Sequence, residues 1–259
     1  MGDKDRVYIF HVYRKDGTAL LLHPFCTPEK IVGQLERSSV EGRYGMEPRV
    51  EALTMLRNEL YRLIEAGVKG WLSDVRFIPK FLVTALVFVL VYFFLSYVVR
   101  DPLPVIDEVA GALAAAVVVF VLQGRRDLGS KMATQKRLQL RVLVDRITFR
   151  ESEFVKLVEG ALHRSETEGI EQVIREIVQP AQQEFGERFQ AEAGQFVAML
   201  EKRFDFRKLQ REEKLFKRIL STSSREQNRS LDRLAESKKY DFPLYAVYKS
   251  FKKTISNRA

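Results

Sequence analysis

The chain has 259 residues, 46% of them hydrophobic and 30% charged, and 43 Lys and Arg stand against 34 Asp and Glu for a net charge of +9. That mixture excludes disorder throughout, and the single cysteine, Cys26, excludes an intramolecular disulfide framework and agrees with a reducing location for the bulk of the protein. The basic excess gathers beside two apolar runs and at the C-terminus, not in a recognisable nucleic-acid module, so anionic lipid is the expected partner and nucleic acid is not.

Met1 to Arg6 lacks the apolar core of a signal peptide, and Arg6 stands where an N-myristoylation pattern needs Ser or Thr. Arg6 to Phe25 then predicts a β-hairpin. Val7 to Tyr13 is rich in β-branched and aromatic residues, Asp16-Gly17 supplies the positive backbone angle of a tight reversal, and Thr18 to His23 forms the return. Two strands alone are marginal, so the hairpin must pack on helices or pair with a second copy. Cys26 reads as a structural thiol. Thr27-Pro28 is a cap and first helical position, opening a short helix that ends near Ser38-Ser39. Gly42, Gly45 and Pro48 predict a loop.

From Pro48, Leu53, Leu56, Leu60, Leu63 and Ile64 recur at helical spacing and predict an amphipathic helix aimed at the membrane, loosened at its end by Gly67 and Gly70. Trp71, Leu72, Phe77 and Ile78 with Arg76 and Lys80 fit an interfacial segment bent at Pro79. They fit equally a helix that continues into the next run.

Phe81 to Val99 is nineteen residues without a charge, about 28 Å of helix at about 1.5 Å per residue, enough to cross a bilayer's hydrocarbon. Val109 to Gln123 is fifteen uncharged residues, and extending it back to Val105 admits Asp107 and Glu108. Arg100 to Pro104 leaves room only for a tight turn, so the two runs predict a transmembrane helical hairpin. Small residues such as Gly111 and Ala115 in the second run allow close packing against the first run or another copy. Asp107 and Glu108 have two readings: carboxylates placed at a helix N-terminus by its dipole, or an outer acidic ring of an oligomeric pore.

Basic flanks orient the hairpin. Arg125, Arg126, Lys131, Lys136, Arg137, Arg141, Arg146 and Arg150 follow the second run, against only Asp127 and Asp145, and Arg62, Lys69, Arg76 and Lys80 precede the first. Both termini are thus expected in the cytoplasm. The first six of those following cations, Arg125 to Arg141, are the candidate contacts to anionic lipid.

After Gly124 to Gly129, apolar residues from Leu138 to Ala161 predict one long helix. A second is predicted over Glu168 to Phe204, interrupted at Pro180, which favours packing in a bundle over a free coiled coil. Lys202 to Leu220 reads as a mixed-charge helix, and Ser221 to Ser224 as a hinge before a short helix over Arg225 to Ser237. The tail from Lys238 to Lys253 interleaves lysines with Tyr245, Tyr248 and Phe251. It can lie on an anionic bilayer or dock by those three rings onto the bundle.

His11, His23 and His163 stand in no metal-ligand spacing, and no phosphate-binding loop, nucleophile elbow or HExxH pattern occurs. The expected fold is mainly α: residues 1–76 a cytoplasmic segment with a small β-hairpin, 77–124 the transmembrane hairpin, and 125–259 a helical cytoplasmic domain. The expected function is non-enzymatic and needs no cofactor or metal. It is an inner-membrane anchor for a helical interaction or scaffold domain that meets a protein partner, another copy of itself, or anionic lipid. A homo-oligomeric channel is the alternative, and a sensor rests on fold analogy alone.

Overall fold

The computed structural model describes residues 6–25, 27–98, 106–183, 185–221 and 240–257. Cys26, the Arg100 to Pro104 turn and the helix expected over Arg225 to Ser237 lie outside them. The fold is mainly helical, 74% helix, with a small N-terminal sheet. It divides into two compact units: Met1–Cys26, Arg37–Leu56 and Ile147–Ala259 form the first, Thr27–Glu36 and Arg57–Arg146 the second.

In the first unit the expected hairpin is present. Strand β1 (Arg6–Tyr13) pairs antiparallel with β2 (Ala19–Leu22), and the reversal turns on Gly17 at φ 79°, a left-handed conformation that a side chain resists. The sheet is larger than the sequence suggests. Strand β3 (Ser39–Tyr44) replaces the loop expected at Gly42, and β4 (Phe149–Glu151) interrupts the long helix expected through Ala161. The order is β2-β1-β3-β4, with β3 parallel to both β1 and β4. A Cβ at Gly42 would fall within the ring of its register partner Phe149. Gly42→Ala is therefore expected to push β4 off the sheet at a cost of about 1–3 kcal/mol, read as a lowered denaturation midpoint. An unchanged midpoint would show that the ring yields freely.

The connection between β3 and β4 decides the architecture. These neighbouring strands share a ladder from Gly42–Phe149 to Tyr44–Glu151, yet the whole stretch from Val50 to Asp145 lies between them in sequence. The chain leaves the sheet at β3 and returns beside it at β4.

One face of the sheet, with Tyr8, Phe10, Val12 and Leu22, is buried against α5 (Glu153–Thr167), α6 (Ile170–Val178), α7 (Gln190–Arg203), α8 (Arg207–Ser221) and α9 (Phe242–Ser256). The long helix expected over Glu168 to Phe204 is thus two helices, α6 and α7, because Pro180 lacks the N–H that continuation requires. Side chains of α5 and α7 also fasten the hairpin: Glu159 accepts from the Tyr13 N–H at 2.9 Å, and Gln195 accepts from Tyr8 N–H at 2.9 Å while donating to Arg6 O at 2.7 Å. Desolvation pushes the Glu159 carboxyl up, while N–H groups of Tyr13 and Met46, with His163, pull it partly back.

The C-terminal tail docks. Tyr245, Tyr248 and Phe251 are enclosed, so of the two readings of this segment the bundle holds and its rings do not face a bilayer. Charge satisfies what the rings leave polar. Tyr248 O–H donates to Glu201 at 2.7 Å and Tyr245 O–H to Glu213 at 2.5 Å, with Lys252 and Lys249 on the same carboxylates. Burial, then Glu213, pushes the Tyr245 phenol far above its usual range.

His11 sits on β1, 0% exposed, in edge contact with the Tyr13 ring at 4.6 Å, and neither ring nitrogen finds a hydrogen-bond partner. Desolvation lowers its pKa from 6.5, partly opposed by its own backbone. The folded state therefore declines a proton that the unfolded chain accepts, and stability present at neutral pH is lost progressively as pH falls below 6.5. His11→Leu is expected to flatten that decline between pH 7.5 and about 5 in denaturant titrations. Equal slopes in the two proteins would remove His11 from the account.

The second unit holds α1 (Pro28–Arg37) up to Glu36, most of α2 (Val50–Val98), α3 (Ile106–Leu128) and α4 (Lys131–Asp145). Helix α2 runs 49 residues without a break, about 73 Å. The bend at Pro79 is replaced by continuous helix. The helix continues through Pro79 although the ring removes one backbone donor. Gly67 does not loosen α2 either. A Cβ there would meet the Pro28 carbonyl, so Gly67 is where α1 crosses closely.

Candidate membrane-facing site

Two helices, α2 and α3, are long and apolar enough to cross a membrane. Of the most apolar 18-residue window, 0% is buried in α2 and 11% in α3, which separates them from the core helices of a water-soluble fold. Phe81, Leu82, Leu86, Leu90, Phe93 and Phe94 stand exposed on α2, as do Leu113, Val117, Val118 and Leu122 on α3. A continuous apolar surface of this extent marks contact with something other than water. The small residues of α3 do the inward packing. Ala112 and Ala116 are buried, and Leu95 of α2 lies 3.0 Å from the position a Cβ would take on Gly111.

Where the apolar runs end, α2 and α3 are tied by charge. Asp127, 7% exposed, accepts from Arg76 at 2.7 Å and pairs with Lys80 at 3.0 Å. A carboxylate in the last turn of a helix opposes the helix dipole, so two cations from α2 supply what that position withholds. Helix α3 then stops and α4 starts: Ser130 caps it by accepting from Ala133 N–H, and Arg137 donates to the Leu128 carbonyl at 3.1 Å, an orphan of the α3 terminus.

Contacts climb one helix as they descend the other. Lys136 lies over the Trp71 ring at 4.7 Å, Arg137 and Arg141 pair with Glu65 at 2.8 and 2.9 Å, and the Tyr61 hydroxyl donates to Asp145 at 2.5 Å. Helices α2 and α4 are antiparallel along this length.

These pairs sort the six candidate lipid contacts into two sets. Lys136 is paired with Glu36 at 2.5 Å, and Arg137 and Arg141 share Glu65, so their charge is largely spent within the unit. Arg125, Arg126 and Lys131 are exposed and have no ion-pair partner among the described residues. Sequence reasoning missed Glu36, Glu65 and Asp127 as partners. Only the antiparallel register of α2 on α3 and α4, and the packing of α1 against α4, would have revealed them.

Asp107 and Glu108 occupy the first turn of α3, the former exposed and the latter half-buried. The helix dipole accounts for a carboxylate pair there without a pore. Among the described residues no three His, Cys, Asp or Glu side chains converge to hold a metal ion.

One open groove lies at the base of α2 and α3. It holds about 360 Å³ and is lined by Lys69, Leu72, Ser73 and Lys80 on α2 and by Phe120, Val121, Gly124, Arg125 and Leu128 on α3. The chain matches no protein-family profile, and neither a curated protein nor a solved structure matches it significantly.

Proposed function

We propose that the chain is an integral membrane protein in which the apolar end of α2 and helix α3 cross the bilayer as a hairpin and hold the sheet-bearing unit, as a binding or scaffold domain, at the cytoplasmic surface. The observation that carries this reading is the connection between β3 and β4. The excursion through α2, α3 and α4 leaves from one strand and returns to its hydrogen-bonded neighbour, which supports placing both ends of the apolar pair on one side, with an even number of crossings. Cation asymmetry agrees. Lys69, Arg76, Lys80, Arg125, Arg126 and Lys131 flank the base of the pair, the pattern of cytoplasmic flanks, and anionic headgroups attract the unpaired ones.

The proposed mechanism is placement. The membrane helices keep the chain at the lipid surface, and the first unit offers its surface to a protein partner or a second copy. The reading is tested by washing membranes that carry the full chain with alkaline carbonate and then urea. Retention with the lipid is expected, and release into the supernatant would overturn the anchor.

A further inference from the structure

The groove between α2 and α3 has a chemistry of its own. Lys69, Leu72, Ser73 and Lys80 fall on one face of α2, and Val121, Gly124, Arg125 and Leu128 on one face of α3, by their spacing of three, four and seven. Its lining includes three cations and no carboxylate. Lys80 is committed to Asp127, so the groove's unspent charge comes from Lys69 and Arg125, both exposed and without an ion-pair partner among the described residues. Ser73 adds an exposed hydroxyl beside them.

Position fixes the depth. Lys80 is the last charge before the apolar run of α2 and Arg125 the first after that of α3, so these two cations stand where the uncharged runs end, and Lys69 extends the cationic end about 16 Å further along α2. Phe120 and Val121 line it on the apolar side of Arg125. The whole is amphipathic along its length, cationic at one end and apolar at the other. An anion with a hydrocarbon tail matches both ends, and a free anion only one.

We propose that this groove is a binding site for one anionic glycerophospholipid, whose phosphate is held by Arg125 and Lys69 with Ser73 donating, and whose acyl chain lies along Phe120 and Val121. The proposal rests on the membrane reading above. Gly124 lines the groove, and the nearest atom to a Cβ built there is Lys80 Nζ at 4.0 Å, the far end of a flexible side chain, so the fold accepts a Cβ there while larger side chains grow into the groove.

The test uses the full chain in phosphatidylcholine nanodiscs containing a minority of phosphatidylglycerol, with lipid retained per protein read by native mass spectrometry. Lys69→Gln and Arg125→Gln are each expected to lower phosphatidylglycerol retention about fivefold, the effect of one basic group near an anionic lipid. Gly124→Leu, which leaves the charge unchanged, is expected to lower it at least as much. Arg126→Gln removes the same charge from the neighbouring position outside the groove, so it loses only the general attraction to anionic lipid and is expected to lower retention less than Arg125→Gln does. Equal losses for Arg125→Gln and Arg126→Gln, or no loss for Gly124→Leu, would reduce the site to a diffuse surface potential and overturn it. Displacement of phosphatidylglycerol by millimolar inorganic phosphate would overturn the lipid as ligand in favour of a free anion. Failure of the parent chain to enter nanodiscs would overturn the anchor itself, whereas entry with indifferent variants would overturn the groove alone.

Discussion

Replacing Phe154 with alanine is expected to cost the sheet-bearing unit about 3–5 kcal/mol, the largest effect of any single side chain in it. The ring is 0% exposed and sits 5.6–6.4 Å, centroid to centroid, from Phe10, Phe185, Phe189, Phe196 and Phe251. Most of these contacts are edge-on, the arrangement that aromatic quadrupoles favour. Phe154 lies on α5 and those rings come from β1, α7, α9 and the segment between α6 and α7, so one cavity unpins the hairpin, the central helices and the C-terminal helix together. A total stability of about 5–15 kcal/mol makes such a loss severe. Denaturant unfolding of the full chain in mild detergent, followed by near-ultraviolet circular dichroism, measures it. Phe154→Leu should lose far less, and a Phe154→Ala loss below about 1 kcal/mol would show that the cluster is not the centre of this core.

Asp127→Asn carries the second large effect, about 2–4 kcal/mol in the α2–α3–α4 unit. Asparagine keeps the volume and removes the charge, which leaves Lys80, its side chain only 12% exposed, without a counter-ion at the edge of the apolar runs. The expected cost lies below the full value for breaking a buried pair because Arg76, 40% exposed, recovers hydration. Removing both ends should be milder than removing one. The double variant Lys80→Met/Asp127→Leu is expected to regain most of the loss, since the one charge it leaves without a partner, Arg76, is 40% exposed. Thermal unfolding in detergent of the parent, both single variants and the double variant closes the cycle. An Asp127→Asn protein within about 0.5 kcal/mol of the parent would mean that the triad does not tie α2 to α3.

Local chemistry was legible where it decides local structure. Asp16-Gly17 announced its turn, Thr27-Pro28 its helix start, and Phe81 to Val99 its long apolar helix. Strands β3 and β4 were not, because Ser39 to Tyr44 and Phe149 to Glu151 show no alternation of their own. Their extended state comes from non-local pairing, β3 with β1 33 residues back and β4 with β3 across more than a hundred, with Gly42 leaving room for Phe149. The two prolines show context winning in opposite directions. Pro180 ends α6, where the freed backbone can be satisfied outside a helix, whereas Pro79 lies within α2, at the threshold of an apolar run.

By sequence alone the cations beyond the second apolar run form one lipid-facing set, since spacing shows which charges share a helix and not which carboxylates face them. Glu36 lies 100 residues from Lys136, and Glu65 lies 76 from Arg141. Only the packing of α1 and of α2 against α4 joins them. What remains unpaired, Arg125 and Lys69 above all, is a smaller and more specific set than composition alone suggests.

The central claim, that α2 and α3 cross together and return to the side they left, is tested most directly by which face of the membrane each end meets. In a Cys26→Ser background, single cysteines at Asp107→Cys and Met132→Cys are exposed to a membrane-impermeant maleimide in right-side-out and in inverted vesicles. The expected result is reciprocal labelling: position 107 reacts only in right-side-out vesicles and position 132 only in inverted ones. Reaction of both positions from the same face would contradict the hairpin and the placement of the sheet-bearing unit that depends on it.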